Sequence, residues 1–192
     1  PHNLSAIVRT CDAAGVFECH ALAVRTEVRA AEAVAQGAGR WVRVRSHASP
    51  DALFTSLREG GFTTLAAHPG AGSRDYREVD YTRPVAVVFG QERDGVSEAV
   101  LRRVDGRLVI PMEGMVASLN VSVAAALVLY EARRQREAAG LYAGGPRLPA
   151  DVYRSTLFEW AYPWLAQLCR RRGVPYPDLG DDGEILGEVP RG

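Results

Sequence analysis

The segment IPMEGMVASLNVS, residues 110–122, joins a short apolar run to an alanine-rich stretch of the chain. Pro111 has no amide hydrogen and therefore suits the end of a strand. Met112 and Met115 offer adaptable apolar surface on either side of a glycine. A flat, uncharged ring held by backbone groups would fit such a loop, but an ordinary turn with methionines in the core fits the residue types equally well.

Strand-like and helix-like patterns alternate along the chain around this segment, which predicts an α/β fold with a mostly parallel sheet flanked by helices. Residues 85–89 form a continuous apolar run, typical of a strand buried on both faces of such a sheet. Ser118 or Asn120 should cap a helix that ends near Ala139. The other expected strands are 16–24, 41–44, 62–67 and 108–110, and the other expected helices are 4–15, 27–36, 49–59, 97–103 and 151–172.

The expected boundary between the two parts of the chain lies at the linker Ala-Gly-Gly-Pro, residues 143–146. Residues 1–142 would form an α/β domain that is long enough to bury a single core. Residues 143–192 would form a C-terminal extension, made of the last helix and a tail rich in Pro, Gly and Asp with no core of its own. Because the chain opens at Pro-His-Asn without a methionine, we expect a longer natural N-terminus.

The formal net charge of the 192 residues is zero, which argues against a strongly basic nucleic-acid-binding protein. All 23 lysine-or-arginine positions are arginine, and clusters such as 40–45 and 170–172 either contact phosphates or form ordinary solvated faces. The three cysteines lie at no metal-ligand spacing, and no uncharged run of about 18 apolar residues occurs. We expect a soluble, cytoplasmic protein with no metal and no membrane partner.

The loops after the strands that end near Ala67, Phe89 and Ile110 are the expected ligand sites, because open α/β sheets bind ligands beyond the carboxyl ends of their strands. The second loop, GQERDGVS at 90–97, places a glycine directly after a strand, where a missing side chain lets a ligand approach the backbone. It is not a Walker loop, and the chain contains no G-x-G-x-x-G pattern. Phosphate-bearing cofactors are therefore not expected.

Three segments, in order, resemble the three motifs of the SpoU branch of the SPOUT RNA 2′-O-methyltransferases. They are NLSAIVRT at 3–10, VVFGQE with GVS at 87–97, and the loop and helix start at 110–124. The tail segments at 157–163 and 171–177 resemble the C-terminal extension of the TrmH-type members, which methylate the D-loop guanosine of tRNA at conventional position 18. Members that act on ribosomal RNA usually lack this tail and carry an added N-terminal domain.

The resemblance implies a C-terminal trefoil knot and S-adenosylmethionine as the cofactor, held by the three loops. The expected cofactor contacts are Gly90, Ile110 and Leu119, mainly through backbone groups, with Leu65 and Met115 lining the pocket. The resemblance also implies tRNA as a partner and an obligate homodimer with the active site at the subunit interface. The helix after Asn120 is apolar over more than one face, which fits either a helix shared between subunits or one buried in a single chain.

The implied reaction moves a sulfonium methyl group to a ribose 2′-hydroxyl, and the key residue of the family falls on Arg9, acting from the partner subunit. We expect Arg9 to position the hydroxyl and to stabilise the forming alkoxide, because a guanidinium does not ordinarily lose its proton, although general-base action stays open. By the same resemblance Asn3 would orient Arg9 and Glu92 would pair with a cation. Ser118 and Asn120 would arrange the loop near the methyl group.

Other interpretations of the same residues remain open. The two asparagines and Ser118 could serve as helix caps alone, and Arg9 could be a surface residue paired with Asp12 or Glu18. At the level of function, the protein could methylate ribosomal RNA instead of tRNA, or could bind RNA without catalysis.

Overall fold

The computed structural model describes residues 2–22, 38–91 and 94–188. The chain divides into two compact units, Pro1–Leu141 and Tyr142–Gly192. The helix expected at 27–36 lies outside the described residues.

Helices and strands alternate through the described part of the first unit. Its helices are α1 (His2–Ala14), α2 (Pro50–Glu59), α3 (Glu98–Leu101) and α4 (Val121–Ala138). Its strands are β1 (Glu18–Ala21), β2 (Arg43–Ser46), β3 (Thr63–Ala67), β4 (Arg74–Asp75), β5 (Val85–Val88) and β6 (Gly106–Val109). Short 3-10 turns lie at Ala38–Arg40 and Tyr76–Glu78. The boundaries of the predicted strands agree with the observed ones to within a few residues. β4 was not predicted, because its segment of the sequence has no periodic pattern of apolar residues.

Four strands form a parallel sheet in the order β4-β6-β3-β5, and β1 and β2 form a two-stranded parallel ribbon. Successive side chains of a strand point to opposite faces of its sheet. On one face of β3, Leu65 packs with Leu108 and with Val128 of α4. On the other face, Ala66 packs with Phe54 of α2. The predicted α/β fold, with a parallel sheet flanked by helices, is therefore confirmed.

Helix α1 packs along α4 and against the β1–β2 ribbon. Val8 and Cys11 of α1 are buried together with Val42. The helix ends as predicted at Gly15, whose φ of 74° lies in the left-handed region that favours glycine. Asn3 lies inside the helix, which begins at His2, so the interpretation of Asn3 as the cap of α1 is wrong.

The apolar strand β5 lies at the edge of the four-stranded sheet, where β3 is its neighbour. All four of its residues are half-buried, so the predicted burial on both faces is wrong. An uninterrupted apolar run signals low exposure, but it does not reveal how many strands will pair alongside it.

The second unit contains α5 (Ala150–Ala161), α6 (Pro163–Arg172) and a hairpin of β7 (Asp178–Leu179) and β8 (Ile185–Leu186). The single helix predicted at 151–172 is wrong, because Pro163 has no amide hydrogen for the helical ladder and begins a new helix instead. Its core consists of Phe158, Leu165, Ala166 and Cys169, with Tyr176, Leu179 and Ile185 packed against it. The tail therefore packs on the core of the two helices, which agrees with the expectation that it has no core of its own.

We expect the substitution Thr64→Val to lower the free energy of unfolding by about 1 kcal/mol at neutral pH. The buried Thr64 hydroxyl donates to the Asp105 carboxylate at 2.7 Å, and the Thr64 amide donates to the same oxygen at 2.8 Å. These bonds hold the pKa of the Asp105 carboxyl below its usual value. The stabilisation is therefore complete above the pKa of the unfolded chain, about 3.9, and is lost as the pH falls through the lower pKa of the folded state.

Denaturant unfolding at pH 7 and at pH 3 measures this difference. The matched control is Thr63→Val, which removes the hydroxyl of the exposed neighbouring residue in the same strand. An equal loss of stability in both variants, or a difference that does not shrink in acid, would contradict the role given to Asp105.

Candidate active site

The carboxyl ends of β3, β5 and β6 lie at one edge of the sheet, because these strands are parallel neighbours. Neighbouring strands are about 4.8 Å apart, so the loops that leave them start close together. These loops are residues 68–73, 89–97 and 110–120. The structure thus brings together the three loops that the sequence analysis selected.

The loop after β5 closes on its own backbone. The amide of Gln91 donates to the Gly95 carbonyl at 2.9 Å, and the Gly95 amide donates back to the Gln91 carbonyl at 2.9 Å. A Cβ atom on Gly90 would lie 2.0 Å from the carbonyl carbon of Gly95. Glycine is thus required at position 90 by the returning chain, which the sequence analysis did not foresee, and a cofactor contact of Gly90 stays a prediction. Glu92 lies outside the described residues.

The loop after β6 is exposed along most of its length. Met115 is fully exposed and Leu119 is 37% exposed. Cofactor contacts of these two residues stay predictions. From Pro111 to Leu119, no backbone N–H or C=O group forms a hydrogen bond with another described residue. The loop therefore presents unused donors and acceptors next to apolar side chains.

Asn120 connects this loop to α1. Its side-chain oxygen accepts from the amide of Ser122 at 2.8 Å, which makes Asn120 the N-cap of α4. Its side-chain nitrogen donates to Asn3 at 3.1 Å. Ser118 is exposed and bonds to no residue in the described part of the chain. Asn120 is thus a helix cap and also a link between the first and third motifs.

Arg9 is exposed on α1 and makes no hydrogen bond or ion pair with any residue that the structure describes. Glu18, one of the carboxylates considered as its partner, pairs instead with Arg45 at 2.8 Å. Asn3 lies six residues before Arg9, about 9 Å along the helix axis, and the two side chains are not bonded. A direct orienting contact between Asn3 and Arg9 is therefore absent from the described chain.

The two remaining predicted cofactor contacts lie in or beside the core. Leu65 is 1% exposed, and Ile110 packs at the edge of the same apolar cluster. Their side chains serve packing in this structure, and contacts with a cofactor stay predictions.

The sequence analysis missed three polar residues that hold the second half of α4 in place. Gln135 accepts from the Tyr81 amide at 3.0 Å, and Arg136 donates to the Tyr81 carbonyl at 3.0 Å. Glu131 accepts from Gln135 at 2.9 Å, and hydrogen bonds from Arg134 and Gln135 hold the pKa of its carboxyl below the usual value. The four-residue spacing of Glu131 and Gln135 could have indicated this side-chain pair, because residues four apart are neighbours on a helix.

The chemistry of the loop after β6 fits a nucleoside cofactor. An adenine ring has hydrogen-bond donors and acceptors at its edge and apolar faces, which match the unpaired backbone groups and the apolar side chains of residues 111–119. Within the described residues, no group of three or more His, Cys, Asp or Glu side chains is arranged to hold a metal ion. No helix in the described ranges is long and apolar enough to cross a membrane.

Comparisons with known proteins agree with this geometry. The model of the SpoU rRNA methylase family matches residues 1–130, and the model of the C-terminal region of SpoU rRNA methylases matches residues 134–188. A tRNA (guanosine(18)-2'-O)-methyltransferase of Escherichia coli K12 is 45% identical over 190 residues, which cover 98% of this chain and 83% of that protein.

Two solved structures are also similar. The tRNA modifying enzyme TrmH/SpoU of A. aeolicus has a TM-score of 0.74 and 41% identity, covering 84% of this chain and 82% of that one. The SpoU methyltransferase AviRb of Streptomyces viridochromogenes, solved in complex with the cofactor AdoMet, has a TM-score of 0.61 and 26% identity, covering 71% of this chain and 56% of that one.

The parallel sheet and the loops at the carboxyl ends of its strands are typical of α/β proteins that bind a ligand at this edge. The matches with family models identify the family within this class. The chain belongs to the SpoU rRNA methylase family. The resemblance to the SpoU branch, and within it to the TrmH-type members, is confirmed.

We expect Gly90→Ala to lower the free energy of unfolding by about 1–3 kcal/mol, because the new methyl group would overlap the backbone of Gly95. Gly114→Ala is the matched control, since a Cβ atom at position 114 meets nothing within 4 Å. Denaturant unfolding gives the two free energies, and hydrogen exchange at the amides of residues 91 and 95 tests whether the loop has opened. If Gly90→Ala and Gly114→Ala are equally stable, the loop does not need the close approach.

Proposed function

We propose that the protein transfers the methyl group of S-adenosylmethionine to the ribose 2′-hydroxyl of guanosine 18 in tRNA. The observation that carries this proposal is that the second and third motif segments leave strands at one edge of the sheet, while Asn120 of the third is bonded to Asn3 of the first. The name and coverage of the E. coli relative support the choice of substrate. Action in the cytoplasm is part of the same proposal, since tRNA is the substrate.

The cofactor would be held mainly by the chain's backbone. The unpaired groups of residues 111–119 would bond the adenine edge, and Ile110 and Leu119 would contact its faces, with the loop at Gly90 closing the other side. S-adenosylmethionine supplies a methyl group on a positively charged sulfur. The loops would hold that methyl group in line with the attacking oxygen, and such alignment supplies a large part of the acceleration in transfer reactions.

Arg9 would act on the ribose hydroxyl. Transfer forms an oxygen–carbon bond at the ribose, breaks a carbon–sulfur bond and releases the hydroxyl proton to water. A guanidinium keeps its proton at neutral pH, so Arg9 would donate hydrogen bonds to the oxygen and stabilise the developing negative charge. The absence of a partner for Arg9 among the described residues supports this role, because its donors are available to the RNA.

The other predicted site residues would act around Arg9. Asn120 and Asn3 would fix the third loop against α1 through their 3.1 Å hydrogen bond. Ser118, exposed in that loop, would contact the substrate or the methyl group, and Glu92 would pair with a cation. This assignment makes Asn3 a positioning residue for the loop rather than for Arg9.

An exposed apolar stripe supports a homodimer. Val123, Leu127 and Tyr130 are 48%, 38% and 49% exposed, and their spacing places them on one face of α4. Val116 and Leu119, in the loop that precedes α4, are also exposed. Contiguous exposed apolar surface is typical of protein interfaces, so we infer that α4 packs against a second copy and that the active site is shared between subunits.

The strand order supports the trefoil knot. β3 and β4 are consecutive in the chain, yet β6 lies between them. Residues 68–73, which join β3 to β4, must cross the carboxyl end of β6, and the His68 amide donates to the Leu108 carbonyl at 3.0 Å. The chain that leaves β6 at Ile110 starts beside this connection, where a knotted path would thread.

Mapping the modified nucleotide tests the proposed substrate. Full-length protein is incubated with labelled S-adenosylmethionine and unmodified tRNA or ribosomal RNA transcripts, and we expect a single 2′-O-methyl group at guanosine 18 of tRNA. The same transcript with guanosine 18 replaced by 2′-deoxyguanosine is the matched control and accepts no methyl group. Methylation of ribosomal RNA alone would support the alternative substrate, and RNA binding without transfer would support an inactive RNA-binding protein.

We expect Arg9→Ala to reduce turnover at least 100-fold while the Kd for S-adenosylmethionine stays within about three-fold, because Arg9 acts on the RNA oxygen and not on the cofactor. Calorimetry gives the Kd and single-turnover kinetics give the rate, with Arg102→Ala on the exposed surface as the control. A large loss of cofactor affinity would contradict this role. Gly90→Ala should disturb the loop that closes one side of the cofactor site. If Arg9 and this loop come from different subunits, a mixed dimer of one Arg9→Ala and one Gly90→Ala subunit has one site in which both are intact. Such mixed dimers should regain part of the activity.

A further inference from the structure

One face of the β1–β2 ribbon carries a polar network that the proposed reaction does not use. Cys19 and Val44 point from the ribbon toward α1 and join its apolar cluster. Because side chains alternate along a strand, Glu18, His20 and Arg45 point to the opposite face. His47 follows β2 directly, and its amide continues the strand pairing by donating to the Ala21 carbonyl at 2.9 Å. We name Glu18, His20, Arg45 and His47 the ribbon network.

The hydrogen bonds of the ribbon network form an ordered chain. Arg45 Nε donates to Glu18 at 2.8 Å, and His20 Nε2 lies 2.8 Å from the other oxygen of the same carboxylate. His20 Nδ1 lies 2.9 Å from His47 Nε2, and the two imidazole rings stack with an interplanar angle of 7°. Although burial alone would raise it, the bonds from His20 and Arg45 hold the pKa of the Glu18 carboxyl below its usual value.

The chain of bonds couples the hydrogen positions of the two imidazoles. An ionised Glu18 only accepts, so His20 Nε2 carries a hydrogen, and a second hydrogen lies between His20 Nδ1 and His47 Nε2. Burial lowers the pKa of His47, and the nearby His20 and Arg45 lower it further. The outer nitrogen, His47 Nδ1, has no partner among the described residues, so it can exchange one further hydrogen bond with a ligand.

Arg45 also has unused hydrogen-bonding capacity. Its one ion pair in the described chain uses Nε, and 48% of its side chain is exposed, so both terminal NH₂ groups are available for a phosphate. Arg40 and Arg43 lie nearby in the sequence, and their guanidinium groups sit 4.7 Å from the Trp41 ring and 4.9 Å from the Phe17 ring. In a chain of zero formal charge, the β1–β2 ribbon and the 3-10 turn before β2 therefore carry three arginines against one carboxylate.

Stability alone does not explain this arrangement. The side chain of Arg45 is 48% exposed, and those of His20 and Glu18 are 16% and 26% exposed. The ion pair of Arg45 is therefore partly open to water, and pairs near the surface contribute only about 0–1 kcal/mol. The network also holds a guanidinium and an imidazole nitrogen side by side, with the open end of each unused.

We propose that the ribbon network binds the sugar–phosphate backbone of the substrate RNA, with Arg45 donating to a phosphate and His47 Nδ1 hydrogen-bonded to a ribose 2′-hydroxyl. The 2′-hydroxyl, which DNA lacks, is both a donor and an acceptor, so it can bond to the imidazole nitrogen whether or not that nitrogen carries a hydrogen. The inference rests on the proposed function, since it takes the polyanion to be the RNA substrate. It adds a contact, outside the site of methyl transfer, that distinguishes RNA from DNA.

Two variants of the full-length protein separate the two contacts. Arg45→Gln should weaken binding of a tRNA transcript about ten-fold, weaken an all-deoxy strand of the same sequence similarly, and reduce the slope of log affinity against log salt by about 1. His47→Phe keeps a ring stacked on His20 but loses the ring nitrogen that would bond to the 2′-hydroxyl. It should weaken RNA binding about five-fold, leave DNA binding unchanged and leave the salt slope unchanged.

The matched control is Arg102→Gln, which removes an exposed arginine of α3's C-terminal end and should change none of these values. Melting temperatures of the variants, measured by circular dichroism, exclude unfolding as the cause. If Arg45→Gln and His47→Phe bind RNA as the Arg102→Gln control does, or if His47→Phe weakens RNA and DNA equally, the proposal is wrong. If the wild-type protein binds tRNA but transfers no methyl group, the proposed function is wrong. The binding measurements on the variants would still test the ribbon network.

Discussion

Parallel pairing of β3 with a strand on each side is the constraint on which the rest of the first unit depends. The pairing sets Leu65 opposite Gly106, where a side chain on residue 106 would lie 3.0 Å from the Leu65 methyl group. With β3 fixed in the sheet, its alternating side chains divide the apolar residues into two cores, one under α4 and one under α2 and α3. The same pairing brings the ends of three strands to one edge, so the packing of the core and the position of the candidate site have a single origin.

Much of this arrangement was readable from the sequence, because it rests on local chemistry. Helix α2 was predicted from Ser49 and Pro50, and its cap is formed by the Ser49 hydroxyl accepting from the Ala52 amide at 3.2 Å. The predictions that failed depend on distant neighbours or on competing local signals. Nothing local showed that β5 would lie at the sheet edge, or that two residues at Arg74 would pair with β6. Pro163 was a local signal for a break, but the helical pattern on both sides outweighed it.

The candidate site divides in a similar way. The rule that open α/β sheets bind ligands beyond the carboxyl ends of their strands selected three loops that start at one edge of the sheet, and the residue type of Asn120 predicted its capping role. Physical reasoning from the sequence could not show that Gly90 is required by the approach of Gly95, because that contact depends on how the loop closes. Nor could it show that Asn3 bonds to Asn120, more than 100 residues away. The ribbon network is also a tertiary feature, since residues 18–20 and 45–47 meet only when β1 and β2 pair.

The position of β6 has a consequence for synthesis on the ribosome. Residues 106–109 fill the place between β3 and β4, so a nascent chain exposed only as far as residue 100 holds β4 without its sheet neighbour. Segments with unpaired strand edges are prone to associate with other chains. β6 and then α4 must therefore be synthesised before the sheet and core of the first unit can form. Folding that starts from the N-terminus during translation is incomplete until the ribosome has passed residue 138.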